Sequence, residues 1–194
     1  APRQGGGPGA RLRVAGLRLV LVVSNHWGDF GGAPMYLRWA GLPDDDTPGR
    51  EAREAFHRDE RLRALFRDHL ARLVDRKNTV TGVRYGDDPT ILGWELMNES
   101  SARATSAVEA RRAWVAEMAA FLKARAPHQL VAPGVWGYGT RRERDEWIAV
   151  HRLPEVDYCD SHLYPEGADR APTLARLLDL VDDRAQLARH VIGK

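Results

Sequence analysis

Four times along this chain a short apolar run gives way to an amphipathic stretch of helical period, and that alternation restricts the fold more than any other property of the sequence. Residues 17–24 are a Leu/Val run broken only by Arg18, of the type buried on both faces in parallel sheets. After a long Gly-, Pro- and Asp-rich loop over 25–49, which carries Trp27, Phe30, Tyr36 and Trp39, the stretch 50–76 places Leu62, Leu65, Phe66, Leu70 and Leu73 on one stripe. The run 91–99 leads into a helix over 106–125, on which Trp114, Val115, Met118, Phe121 and Leu122 share one face until Pro127 ends it. Residues 129–135 with a short helix over 141–151 form the third unit. Residues 156–163 form the fourth with a helix over 173–191, whose Leu174, Leu177, Leu178, Val181 and Ala185 are expected to point inward. Strands alternating with helices predict an α/β architecture, a parallel sheet with right-handed crossovers.

Composition excludes several classes. With 43% hydrophobic and 29% charged residues among 194, the chain can bury a sizeable core. A formal charge of +2 spread along nearly balanced acids and bases gives no basic patch, so a nucleic-acid partner is not expected. The strongest apolar run, residues 19–23, is strand-sized, and no membrane partner is expected. A single cysteine, Cys159, rules out an intrachain disulfide and reads as a small buried hydrophobe. The seven histidines are scattered without metal-ligand spacing, and Gly5-Gly6-Gly7-Pro8-Gly9 lacks the strand and Lys-Ser/Thr of a phosphate loop. No metal or other cofactor is expected. Residues 1–15, rich in glycine and without an initiator Met, read as a leader, linker or junction outside the folded unit, which is expected over 16–194.

The chemistry concentrates where the run Ile91-Leu92-Gly93-Trp94-Glu95-Leu96-Met97 ends on Asn98-Glu99. A carboxylate at the C-terminal edge of a strand, beside an amide that can donate hydrogen bonds, has the placement of a proton donor in sugar chemistry. A polar strand end with no further role would look the same in isolation.

Three segments in order carry a resemblance. Ser24-Asn25-His26-Trp27-Gly28-Asp29-Phe30-Gly31-Gly32 resembles the loop after the third strand of the family 5 glycoside hydrolases, above all the endo-β-1,4-mannanases. Residues 78–90 running into Trp94-Glu95-Leu96-Met97-Asn98-Glu99 resemble their fourth-strand region. Asp157-Tyr158-Cys159-Asp160-Ser161-His162-Leu163-Tyr164-Pro165 resembles their sixth strand with its His-x-Tyr. The similarity runs from about Gly16 to the end. It implies a partial (β/α)8 TIM barrel, roughly strands three to six with their helices, since a whole barrel takes about 250 residues.

What the resemblance implies for chemistry is a retaining double displacement on β-1,4-linked polysaccharide or oligosaccharide, with mannan or glucomannan the first choice. Glu99 is then the general acid/base and Asn98 the partner of the sugar 2-hydroxyl. The family's nucleophile, a Glu ending the seventh strand, is not matched in this sequence, so the chain alone is expected to be inactive. His162 and Tyr164 would line the cleft. Trp27 would be a sugar-stacking platform with Asn25 and His26 beside it, and Trp136 stands after the fifth strand where mannanases often have an acidic residue. Glu95, four residues upstream of Glu99 along one strand, lies about 13 Å from it and is read as structural; Asp160 and Glu166 are read as weak stand-ins for a nucleophile. Trp39, Trp114 and Trp147 are read as packing residues. By the same resemblance the complete protein is expected to be an extracellular monomer. The alternatives are a family 5 β-glucanase or exo-glycosidase, and a non-catalytic carbohydrate-binding remnant.

Overall fold

The apolar run that begins at Ile91 becomes the middle strand of a three-stranded parallel sheet, against which the described helices pack. In the computed structural model, which describes residues 15–43, 54–100, 105–163 and 174–194, the strands are β1 (Leu19–Val22), β2 (Ile91–Glu95) and β3 (Leu130–Ala132), hydrogen-bonded in that order. Register aligns Leu21, Trp94 and Val131 in one row, and Val22, Glu95 and Ala132 in the next. The first row faces the helices. There the buried Trp94 donates its indole N–H to Gln129 Oε1 (2.6 Å), while the amide of Gln129 donates to the carbonyls of Tyr85 and Asp88. The buried polar atoms of this corner are thereby satisfied.

Among the described residues five α-helices accompany the sheet: α1 (Ala33–Trp39), α2 (Glu60–Val74), α3 (Thr105–Arg125), α4 (Arg141–His151) and α5 (Leu174–Gln186), the last continuing into a π-helical turn, Leu187–Ile192. Their starts follow local chemistry. Asp59 caps α2 by accepting the Arg61 N–H, and Thr140 and Glu143 form a reciprocal capping box on α4. The core lies between sheet and helices, where Leu62, Phe66 and Leu70 of α2 meet Trp114, Met118 and Leu122 of α3, all fully buried. Phe56, Phe66 and Trp114 pack edge to face, an arrangement that aromatic quadrupoles favour. Among the described residues no helix is long and apolar enough to cross a membrane.

The structure departs from the sequence reading in several places. Within the expected loop, α1 forms because Pro34 sits in its first turn, where a missing N–H does no harm, and because Tyr36 and Leu37 bury against the core. The β1 strand is not buried on both faces. It alternates, with Val20 and Val22 exposed at 42% and 49% on the face turned away from the helices. Leu92 and Leu130 are exposed as well. Trp39 is exposed against Tyr36 rather than packed inside, unlike Trp114 and Trp147.

Residues 156–163 do not form the expected fourth strand. Main-chain bonds from Asp157 N to Val131 O and from His162 N to Trp136 O keep the segment beside β3. The N–H groups of Val131 and Gly134 go instead to the side-chain carboxylates of Asp157 and Asp160. Two carboxylates thus take the places that carbonyls hold in a regular ladder.

The apolar stripe of α5 also faces the other way from expectation. Leu174, Leu178, Val181 and Ala185 are exposed, Leu174 at 72%. The helix is anchored instead by Leu187 and by the buried Arg184, which bonds Ser161 Oγ and Tyr138 O and stacks over the Tyr138 ring. The leader over 1–15, apart from residue 15, lies outside the described residues.

Candidate active site

Pairing continues beyond the formal ends of the strands, and that continuation builds the site. Leu96 N bonds Ala132 O, Asn98 N bonds Ser24 O, His26 N bonds Asn98 O and Ser100 N bonds Gly134 O, so residues 96–100 are held from both sides. Between two of these anchors the backbone of Glu99 turns into the left-handed region at φ 56°. For a residue with a Cβ this conformation costs on the order of 1–3 kcal/mol and persists only where the surroundings over-determine it.

The turn buries the Glu99 side chain, which is 4% exposed, and both carboxyl oxygens meet nitrogen. The indole N–H of Trp27 donates to Oε2 at 2.7 Å, and Nδ1 of His162 lies 2.8 Å from Oε1. Asn98 donates from Nδ2 to Asn25 Oδ1 (3.0 Å), which also accepts the main-chain N–H of Trp27 (3.2 Å). Asn25 therefore ties the loop after β1 to the end of β2. Trp27 stands edge-on to the partly exposed Trp136, ring centroids 5.8 Å apart, and also to the buried His26, at 5.3 Å. A cleft of about 470 Å³ opens beside Asn25 and Asn98, lined also by Val22, Val23, Ser24 and Phe30.

The structure thus brings Glu99, Asn98, Asn25, Trp27, Trp136 and His162 together. Tyr164 and Glu166 lie outside the described residues. Glu95 points to the open face of the sheet, where burial first and then the Asp160 carboxylate raise its pKa while His162 opposes them. Asp160 is turned into the protein, bound to His151 and Gly134.

Two features were not read from the sequence. Trp27 was expected to present its face to a sugar, and its N–H bonds Glu99 besides; that contact joins residues 72 apart, and nothing local announces it. Phe30, fully exposed at φ 55° in the cleft wall, had a local signal in the glycines on either side of Asp29-Phe30. Among the described residues no group of three or more His, Cys, Asp or Glu is placed to hold a metal.

The site can be compared with known proteins. Residues 10–169 match the family model described as GH family 5 beta-mannosidase-like. The rice protein named mannan endo-1,4-beta-mannosidase 4 is 36% identical over 170 residues, covering 81% of this chain and 36% of its own length. Mannan endo-1,4-beta-mannosidase 1 of Arabidopsis thaliana is 29% identical over 165 residues, covering 78% of this chain and 38% of itself. Among solved structures, the endo-beta-1,4-mannanase of Thermotoga petrophila superposes with a TM-score of 0.80 at 26% identity, over 96% of this chain and 42% of that one. This chain therefore spans well under half the length of these relatives. Its sheet and helices are a portion of a (β/α)8 barrel, with the regular strand pairing of residues 156–163 replaced by the two aspartates. By sequence and by fold, the chain belongs to the β-mannosidase-like members of glycoside hydrolase family 5.

Proposed function

We propose that the complete protein is a retaining glycoside hydrolase that cleaves β-1,4-linked mannan or glucomannan, with Glu99 as general acid/base. The observation that carries this reading is the buried Glu99 at the C-terminal end of β2, its two carboxyl oxygens held by Trp27 and His162 beside Asn98. Proteins similar to it are named for the same activity.

The geometry supports the chemistry as follows. An indole N–H can only donate, so Oε2 is held as an acceptor and the proton that leaves belongs on Oε1, beside His162. In the first half-reaction Glu99 gives that proton to the glycosidic oxygen as the bond to the anomeric carbon breaks. In the second it takes a proton from the water that releases the sugar. Asn98, fixed by Asn25, offers an amide to the 2-hydroxyl. The reaction also needs a nucleophilic carboxylate about 5–5.5 Å from the acid, and we assign it to a Glu at the end of the barrel's seventh strand, beyond the units matched here. Tyr164 and Trp136 complete the cleft in this reading. We propose further that it acts outside the cell, where a polymeric substrate is reached without uptake, and that it works there as a monomer.

The test is Glu99→Gln in the complete protein, assayed on mannan, glucomannan, cellulose and aryl glycosides. Hydrolysis of mannan should fall about 10²–10⁴-fold, with azide partly restoring turnover of substrates that have good leaving groups. Near-normal hydrolysis of polysaccharide by Glu99→Gln would refute the assignment, and preference for cellulose would move the substrate to glucan.

A further inference from the structure

We propose that Asp160, held in place by His151, is a positioning residue for Glu99; the inference rests on the acid/base reading given above. His151 is fully buried on α4, with Nδ1 2.8 Å from the carbonyl of Trp147 and Nε2 2.8 Å from Asp160 Oδ1. The other carboxylate oxygen, Oδ2, accepts the N–H of Gly134, and Trp147 donates its indole N–H to the Asp160 carbonyl at 2.8 Å. A carboxylate this thoroughly engaged has one rotamer.

From Asp160 two routes reach the acid. The first runs through Gly134, whose carbonyl accepts the N–H of Ser100 at 3.1 Å, next to Glu99 in the chain. Gly134 lies so close to the β2 extension that a Cβ on it would stand 2.2 Å from the carbonyl oxygen of Met97, so a shift of Gly134 is a shift of residues 97–100. The second route is shorter. His162 follows Asp160 by two residues, on a segment held beside β3 by the two aspartates together with the main-chain N–H groups of Asp157 and His162, and its ring meets Glu99 Oε1. One side chain therefore sets both the backbone that carries the acid, strained at φ 56°, and the imidazole beside its proton-bearing oxygen. Displacement of a reacting group by about 1 Å can slow turnover on the order of 10²-fold.

Asp160→Asn is the conservative variant. Its amide oxygen can still accept from Gly134, and its NH₂ can donate to the His151 tautomer that is protonated on Nδ1. Asp160→Ala removes both side-chain bonds and leaves only the main-chain N–H of residue 160 on His151 Nε2 (3.2 Å), and Asp160→Ser keeps one short acceptor as a second variant should the alanine protein fail to fold. The readout is kcat/KM on a dinitrophenyl β-mannoside, whose leaving group needs little protonation, against kcat/KM on a manno-oligosaccharide, whose leaving group needs it fully. The ratio is independent of how much protein is folded.

In the complete protein, Asp160→Ala or Asp160→Ser should lower the oligosaccharide value about 10²-fold and the dinitrophenyl value several-fold less, so that the ratio moves in the direction of Glu99→Gln measured alongside. Asp160→Asn should keep the wild-type ratio. Equal losses on both substrates, or none, in the alanine and serine variants would overturn the positioning role while leaving Glu99 in place. If Glu99→Gln itself leaves the ratio unchanged, the acid/base reading is what has failed.

Discussion

Trp27 and Glu99, 72 residues apart in the chain, are joined by an indole N–H that donates to Oε2 at 2.7 Å. A donor aimed at a carboxylate favours the charged form, so its removal raises the proton affinity of the acid. Trp27→Phe, which keeps an aromatic ring against Trp136, should move the alkaline limb of the kcat/KM profile in the complete protein to higher pH. Turnover should fall about 10-fold or more, the worth of a hydrogen bond to a charged group. An unmoved limb with unaltered turnover would show that the contact has no part in tuning the acid.

His57 predicts a pH dependence of stability. It is fully buried among Phe56 and Trp114, neither ring nitrogen has a hydrogen-bond partner among the described residues, and burial, then the positive charge of Arg111, hold its pKa well below 6.5. A histidine with a depressed folded pKa stabilises the fold above its unfolded value, and that contribution is lost as pH falls. Stability should therefore decline by about 1.4 kcal/mol per pH unit below about 6.5 on account of this one group. Denaturant unfolding of His57→Phe at several pH values should show a shallower decline than the parent; parallel curves would contradict it.

Arg111 of α3 and Glu146 of α4 form a buried ion pair, and Arg111 also donates to the Ser100 carbonyl at 2.7 Å. Arg111→Ala leaves a carboxylate and a carbonyl buried without this cation and should cost about 3–5 kcal/mol. The double replacement Arg111→Met with Glu146→Leu removes both charges and should recover most of that loss. Chemical denaturation of the two single variants and the pair supplies the cycle, and additive losses would count against a coupled pair.

The exposed stripe of α5 predicts a solution property of the 194-residue chain. Leu174, Leu178 and Val181 form a contiguous apolar face, of the kind that drives association. Leu174→Lys with Leu178→Glu should lower light scattering and shift size-exclusion elution toward monomer, with the unfolding midpoint unchanged. A fall in the midpoint would mean that the stripe is packed in solution.

How much of this could be read from the residues depends on the range of the interaction involved. The β2 run and its Asn98-Glu99 ending were legible because strand composition and a polar terminus are local signals. The stripe on α2 was legible for the same reason. On α5 the period announced an apolar face without saying what covers it, and Arg184, which anchors the helix, looks in the sequence like any surface arginine. Residues 156–163 read as a strand because Val156, Tyr158, Cys159 and Leu163 are residue types that strands favour. What decides their pairing is the choice of Asp157 and Asp160 side chains over carbonyls, a contest between acceptors that hydrophobic pattern does not register. Helix α1 was hidden by Gly32 and Pro34, which signal a loop by composition and a helix start by position.

The left-handed backbone of Glu99 bears on the history of the chain. Glycine would occupy φ 56° without strain, and asparagine nearly so, which makes either residue the downhill substitution wherever nothing is asked of the carboxyl group. Relaxed selection would let the position drift toward them, with a gain in stability at each step. If Glu99 is the acid of the proposed reaction, its φ of 56° is stability given up locally to aim that carboxyl.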